Sequence, residues 1–304
     1  MWDVGKAPRW GPVWVALGAS LWGTDTVLRR PLTASLSSSQ IVLFEHLILT
    51  PVLLPTAWRA RAQWRVLRPL EWAALLGISW GGSALGTVLF TEAIRIGSPT
   101  SAVLLQKTQP LFATLLAWAL LREALGLRFW LSLLAALCGA YLVSFGSLPP
   151  RDSAAQAGLS AALLALAAAA LWGAATVLGR FILRRLTFLT LTALRIVLAT
   201  PLLLVVAAVR WRAPAAPLDT SQAVSLLLLA LVPGLAGTIL YYRGLVHTRA
   251  SRATVAELSF PAVATLLNWA FLGTPVSAVQ LIGFVLLWSV ILNLEKDQHG
   301  ESAD

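Results

Sequence analysis

The chain has 304 residues, 58% of them hydrophobic and 12% charged, with a formal net charge of +10 and a mean hydropathy of +0.78. Soluble domains are roughly 45–50% apolar and about 25% charged, so this composition excludes a water-soluble fold and points to a bilayer. The positive charge does not indicate nucleic acid, because the arginines stand singly or in small groups between apolar runs. The lone Cys138 excludes a disulfide framework.

A helix crosses about 30 Å of hydrocarbon with about 20 apolar residues, and the sequence predicts ten such spans. The first, 11–29, follows "MWDVGKAPRW" with no cleavable signal evident. It carries Trp22, Thr24 and Asp25, the last standing four residues before Arg29 in the favourable order for a helical ion pair. The second, 38–57, holds Glu45 and His46. The third, 71–94, reads "GISWGGSALG" around Trp80 and then Thr87, with Gly77, Gly81, Gly82 and Gly86 as a small-residue stripe for close helix approach. The fourth, 99–120, holds Gln106, Lys107 and Gln109, and the fifth is 127–146. The sixth, 157–178, contains Trp172. The seventh, 187–209, holds Arg195. The eighth, 222–245, carries Pro233, Gly234, Gly237, Thr238, Tyr241 and Tyr242. The ninth, 250–271, carries Glu257, Ser259 and Asn268, and the tenth is 276–294. Pro, Gly, Ser and Arg clusters separate them. Every backbone polar group in lipid needs an internal partner, so helices are expected, and the alternating ten-residue pattern of a β-barrel is absent.

The chain says much of this twice. "LWGTDTVLRR" (21–30) matches "LWGAATVLGR" (171–180) at seven of ten positions. "PLFATLLAWALL" (110–121) matches "PAVATLLNWAFL" (261–272) at eight of twelve. "TPVLLP" (50–55) answers "TPLLLV" (200–205), and "GTVLF" (86–90) answers "GTILY" (237–241). Shared Trp, Pro, Gly and Thr at a constant offset of 150–151 indicate a duplication: residues 1–150 as a first five-helix repeat, 151–304 as a second with a short cytoplasmic tail. Five is odd, so the second copy enters the bilayer upside down. The expected fold is an all-α integral membrane protein with ten transmembrane helices in a 5+5 inverted repeat, a symmetry suited to alternating access at a midplane site. With both termini in the cytoplasm, fifteen basic residues fall on inside segments and six on outside ones, as the positive-inside rule requires.

The "LWG…T…" first helix, the "P…A.LLAWALLRE" end of the fourth and the "AVQLIGFVLL" tenth resemble the EamA-type carriers of the drug/metabolite transporter superfamily over nearly the whole chain. That resemblance implies ten helices, a 5+5 inverted repeat and export of amino acids and other small metabolites. Similar members include exporters of aromatic amino acids. The acid expected after the fourth helix is present as Glu123. Its counterpart after the ninth is Thr274, and Glu45 stands where the second helix often carries an arginine.

Four charges lie deep: Glu45, Lys107, Arg195 and Glu257. Such charges are expensive in a bilayer and should be paired or face water. Under the repeat Glu45 corresponds to Arg195, and Gln106 to Glu257. One reading gives two structural ion pairs, Glu45–Lys107 and Arg195–Glu257. The other lets a member face a cavity and bind a pole of a zwitterion or carry a proton. His46 has two readings as well, proton coupling or packing. Asp25 with Arg29 reads as a local pair or as reaching the cavity with Thr24. Trp22, Trp80 and Tyr241 lie beside glycines and could wall an aromatic pocket or simply pack.

The expected cavity is walled by helices 1, 3, 4, 6, 8 and 9, with Thr24, Thr87, Gln106, Gln109, Thr238, Glu257, Ser259 and Asn268 as its polar groups. The stretch Gly77 to Gly81 matches G-x-S-x-G but lacks the strand-to-helix turn, base and acid of a hydrolase. His46, His247 and His299 are far apart in sequence, so no metal site and no cofactor are expected. The expected protein is a non-enzymatic carrier in a bacterial inner membrane, monomeric or homodimeric. Its first substrate class is amino acids, with no nucleic-acid partner. Carriage of nucleotide sugars or phosphorylated metabolites, and a non-transporting scaffold or intramembrane enzyme, are the rival readings.

Overall fold

In the computed structural model, residues 10–97, 102, 105–123, 125–145, 159–210, 218–260, 262–263, 266–267, 270 and 277–300 are described. Among them the principal helices are α1 (Gly11–Trp22), α2 (Ser38–Arg59), α3 (Pro69–Ile96), α4 (Gln109–Leu121), α5 (Leu127–Phe145), α6 (Leu159–Ile182), α7 (Phe188–Arg210), α8 (Thr220–Leu245), α9 (Ala250–Glu257) and α10 (Ala278–Gly300). Five of these, α2, α3, α6, α7 and α8, are long and apolar enough to cross a membrane, and α4, α5 and α10 contain shorter apolar stretches.

Local chemistry sets the ends. Pro12 opens α1, where its missing N–H is no loss. Capping boxes start α2 (Ser37 with Gln40) and α8 (Asp219 with Gln222). α4 stops at Arg122, whose φ of 54° is the left-handed conformation that ends a helix. The expected first span, 11–29, is broken: α1 closes at a turn through Gly23 and Thr24, and a short helix Asp25–Arg29 follows. The ninth also breaks, because α9 ends in a turn at Leu258 and Ser259.

That second break has a twin. A turn at Lys107 and Thr108 precedes α4. Thr108 N donates to Leu105 O and Leu111 N to Thr108 O; Ser259 N donates to Ala256 O and Ala262 N to Ser259 O, the same bonds 151 residues on. Pro110 supplies the cause in the first half, since it has no N–H to continue the helix. π-helical stretches match likewise, Gly77–Gly86 within α3 and Ala230–Gly237 within α8. The glycine-rich stripe of the sequence is therefore a widened helix as well as a close-packing surface.

Packing follows the same pattern. α2 lies on α7 and α5 on α10. α1 lies against α8 and α9, while α6 lies against α3 and α4. Each contact thus recurs five helices on. The small residues permit it: a Cβ on Gly18 would meet the backbone of Gly237 and Tyr241 at 2.6 Å. Large apolar side chains such as Val52, Leu115, Trp118, Leu134 and Val285 are exposed on the outer faces, which suits a lipid surround.

Candidate functional site

A cavity of about 190 Å³ lies among the helices, lined from α1 and its extension, α2, α3, α4, α6, α7, α8 and α9. It sits at the two helix breaks and against both π-helical stretches: Gln106, Lys107, Gln109, Glu257, Leu258 and Phe260 come from the former, Ser83, Pro233 and Gly234 from the latter. α2 and α7 join the six walls expected from sequence.

Its aromatic walls come as a repeated pair. Trp22 packs on Tyr241 with ring centroids 4.9 Å apart, and Trp172 on Phe90 at 5.1 Å. Trp172 corresponds to Trp22 and Tyr241 to Phe90 in the duplication. Each tryptophan also covers a glycine of the opposite half, Trp22 at Gly237 and Trp172 at Gly86. Trp172 Nε1 donates to the Gly82 carbonyl at 2.9 Å, inside the π-helical stretch.

The polar groups form three clusters. At one end Arg29 grips Asp25 through two bonds, 2.6 and 2.7 Å, and reaches Glu45 at 3.4 Å. His46, on the next residue, donates from Nδ1 to the Val42 carbonyl at 2.8 Å. In the middle Arg195 donates to Ser83 and to the Tyr242 hydroxyl, the latter at 3.1 Å. At the breaks Glu257 accepts from Tyr241 at 2.8 Å, from Thr176 at 3.1 Å and from Gln109. Lys107 is buried over the Phe260 ring, 4.6 Å from its centroid, and its Nζ has no hydrogen-bond partner among the described residues.

Both ion pairs expected from the sequence are corrected by this geometry. Glu45 takes Arg29 rather than Lys107, because the break after Trp22 swings the Asp25–Arg29 helix over α2. Glu257 is held by hydroxyls and an amide rather than by Arg195, whose N–H groups are directed at Ser83 and Tyr242. Of the expected cavity residues, Trp22, Thr87, Gln106, Gln109, Thr238, Tyr241 and Glu257 line it, as do Asp25, Glu45, His46, Lys107 and Arg195. Three do not. Thr24 turns back to the Leu21 carbonyl at 2.7 Å, within the turn that ends α1. Ser259 bonds the Ala16 carbonyl at 2.8 Å and stitches α9 to α1. Trp80 is 44% exposed on the outer surface and donates to the Leu198 carbonyl. Asn268 lies outside the described residues. Sequence reasoning missed Thr176, Ser83 and Tyr242 as wall residues. Thr176 was within reach, since it is one of the matched positions of the repeated "LWG" segment.

The model of the EamA-like transporter family matches the chain twice, at residues 9–145 and 159–293. The chain belongs to the EamA-like transporter family. The riboflavin transporter ImpX of Fusobacterium nucleatum is similar at 30% identity over 295 residues, covering 94% of this chain and 97% of that one. The uncharacterized transporter YwfM of Bacillus subtilis is 25% identical over 281 residues, 90% of each chain. A crystal structure superimposes with a TM-score of 0.73 at 17% identity, covering 92% of this chain and 94% of the other, which shows the shared fold. As an EamA-like protein the chain is a multi-pass membrane transporter of a small molecule and not an enzyme. Its cavity can bind non-covalently, with rings against the aromatic pairs and polar atoms against the clusters at the breaks.

Proposed function

We propose that this EamA-like protein is a secondary carrier of a bacterial inner membrane that moves a small, flat, ring-bearing metabolite by alternating access, riboflavin being the first candidate. The observation that carries this reading is the chamber between two symmetric aromatic pairs, Trp22–Tyr241 and Phe90–Trp172, at two matched helix breaks. Flat heteroaromatic rings gain from stacking on such side chains, and discontinuous helices are the usual site-builders of repeat-based transporters. The full-length similarity to a protein named as a riboflavin transporter points the same way.

The recurrence of every major packing contact five helices on supports an inverted 5+5 repeat. The arginine bias supports cytoplasmic termini. We take 1–150 and 151–304 as the two copies, and the pseudo-symmetric bundles they form together, α1 with α8 and α9 and α6 with α3 and α4, as the bodies that rock against one another, in a monomer or a homodimer.

A second reading is favoured by Lys107 and Glu257. One basic and one acidic side chain line the same cavity at the two breaks, as the poles of a zwitterionic aromatic amino acid would require. Purified protein in liposomes, offered labelled riboflavin, labelled tryptophan and a labelled nucleotide sugar, decides between them. Saturable riboflavin uptake competed by excess riboflavin and not by tryptophan supports the first reading. The reverse supports the second, and uptake of a nucleotide sugar in place of both overturns each.

A further inference from the structure

Three oxygens at the α9 break form a closed ring. Thr176 Oγ1 lies 2.7 Å from the Tyr241 hydroxyl and 3.1 Å from Glu257 Oε1, and the Tyr241 hydroxyl lies 2.8 Å from the same Oε1. Each of these contacts has hydrogen-bond length, and each needs one proton. The two hydroxyls bring two. If Glu257 is ionised, one edge of the triangle has no proton, and two lone-pair-bearing oxygens face each other across it. A proton on the carboxyl fills that edge and lets all three bonds form. Glu257 is 94% buried by its exposure of 6%, and among the described residues no lysine, arginine or histidine forms an ion pair with it. Its remaining oxygen is held by the Gln109 amide of α4.

From this count we infer that Glu257 is a proton-binding site, occupied when the cavity is empty, through which transport is coupled to a proton gradient. The inference rests on the transporter reading above and names its driving ion. The ring joins α6, which packs with α3 and α4, to α8 and α9, which pack with α1, and α4 is attached through Gln109, so rocking of these two bundles against one another opens it. Once open, Tyr241 and Thr176 can both donate to the carboxylate, and the carboxyl O–H bond breaks with release of its proton to water in the cavity. Reclosure takes a proton back. No other bond changes.

Other charged and titratable groups share the cavity: Asp25 and Arg29 at the end of the α1 extension, Glu45 and His46 on α2, Lys107 before α4, Arg195 on α7, and Tyr241 and Tyr242 on α8. Asp25 and Glu45 both bond to Arg29 and are directed at it. Arg195 lines the same cavity with its N–H groups directed at Ser83 and Tyr242.

The test uses the full chain in lipid vesicles. Infrared difference spectra between neutral and alkaline pH should contain the carbonyl stretch of a protonated carboxylic acid, and Glu257→Gln should remove it. Thr176→Val, which keeps the carboxyl but deletes one edge of the ring, should shift the pH at which the band disappears. An identical band in wild type and Glu257→Gln overturns the proton site, and an unshifted titration in Thr176→Val overturns the ring as its cause. In the transport arm, a pH gradient should drive riboflavin accumulation severalfold beyond equilibrium in wild type, and uptake by Glu257→Gln, whatever its rate, should ignore the gradient. Riboflavin exchange by wild type that ignores the gradient overturns the coupling and leaves the carrier reading intact. Absence of riboflavin exchange at every pH counts against the substrate alone, and the carboxyl band still decides the proton site.

Discussion

Thr50 Oγ1 and Thr200 Oγ1 touch at 2.8 Å, although 150 residues separate them. Each is the other's counterpart in the duplicated sequence, and two counterparts meet only where the axis relating the copies passes between them. Thr200 also donates back to the Ile196 carbonyl, so it accepts from Thr50, and the pair fastens α2 to α7. Side-chain atoms that meet at 2.8 Å bring the sulfurs of a cysteine pair at these positions within reach of each other. Thr50→Cys with Thr200→Cys, in a Cys138→Ala background, should cross-link within one chain under mild oxidation, seen as a mobility shift reversed by reductant. Transport by the oxidised protein should persist, because an axis contact stays closed in both conformations. Loss of transport on oxidation would mean that α2 and α7 separate during the cycle.

The seam between α1 and α8 depends on the absence of two side chains. A Cβ on Gly244 would meet Gly11 O and Val15 N at 2.5 Å, and one on Gly18 would meet Gly237 O at 2.6 Å. These obstacles are backbone, which cannot rotate away. Gly18→Ala and Gly244→Ala should each lower thermal stability in detergent by about 1–3 kcal/mol, the usual range for overpacking. Gly126, where nothing lies within 4 Å, is the matched control, and Gly126→Ala should leave the melting curve unchanged.

Arg29 stands between two carboxylates, Asp25 and Glu45, and is 5% exposed. Removing a buried partner leaves the opposite charge uncompensated, an effect of about 3–5 kcal/mol. Arg29→Gln should therefore be more damaging than Asp25→Asn, which leaves one carboxylate beside the arginine. Glu45→Gln added to Arg29→Gln should recover part of the loss. Thermal unfolding of wild type, these three variants and Glu45→Gln alone in one detergent measures this ordering; an additive double variant would show that Glu45 and Arg29 do not interact.

His247 lies just past α8, half-buried, and is held below the ordinary histidine value by burial and by the neighbouring charges of Arg180 and Arg243. A depressed value means that the unfolded chain binds the proton more readily than the folded one. The contribution is therefore complete above about pH 6.5 and is lost as pH falls through the lower folded value. Wild type should lose melting temperature between pH 7.5 and pH 5.5 to a greater extent than His247→Gln. Equal losses would assign the acid sensitivity elsewhere.

Much of this fold was legible in the sequence because lipid imposes simple rules. Hydrophobic length gave the helices, and matched Trp, Pro, Gly and Thr gave the duplication, since those residues are not interchangeable in a Leu/Ala-rich helix. Trp22 and Tyr241 were found because depth and adjacent glycine mark a close approach. The charge partners were not legible. Glu45 was paired with Lys107 by its register in the repeat, but Gly23 and Thr24 break the first helix, and a break redirects every side chain beyond it. Hydrogen bonding misled in the other direction at Thr24 and Ser259, whose hydroxyls are satisfied by nearby carbonyls and so turn from the cavity. Tyr242 and Thr176 escaped notice because a hydroxyl with no sequence neighbour to pair with looks like ordinary packing.

The two copies differ most plainly at Glu123. Its carboxylate accepts from Ala250 N at 2.8 Å, Ser251 N at 3.1 Å and Ser251 Oγ at 2.5 Å, and so caps the start of α9 from the end of α4. The counterpart in the second half of the sequence is Thr274, which has no carboxylate to offer. A negative group at a helix N-terminus is favourable both as a hydrogen-bond acceptor and through the helix dipole. The cap joins the two repeats on the side of the arginine-rich segments, where Arg180 also donates to the Val246 carbonyl at 2.6 Å. Glu123→Ala should weaken this joint by about 1 kcal/mol, roughly a fivefold change in the population that keeps it. Hydrogen–deuterium exchange should quicken at the Ala250 and Ser251 amides, with α10 unchanged. Glu123→Gln keeps an acceptor oxygen but not the charge, and should fall between wild type and Glu123→Ala. If exchange in Glu123→Gln equals that of Glu123→Ala, the charge is the whole of the effect. If neither variant differs from wild type, the cap does not hold the two repeats together.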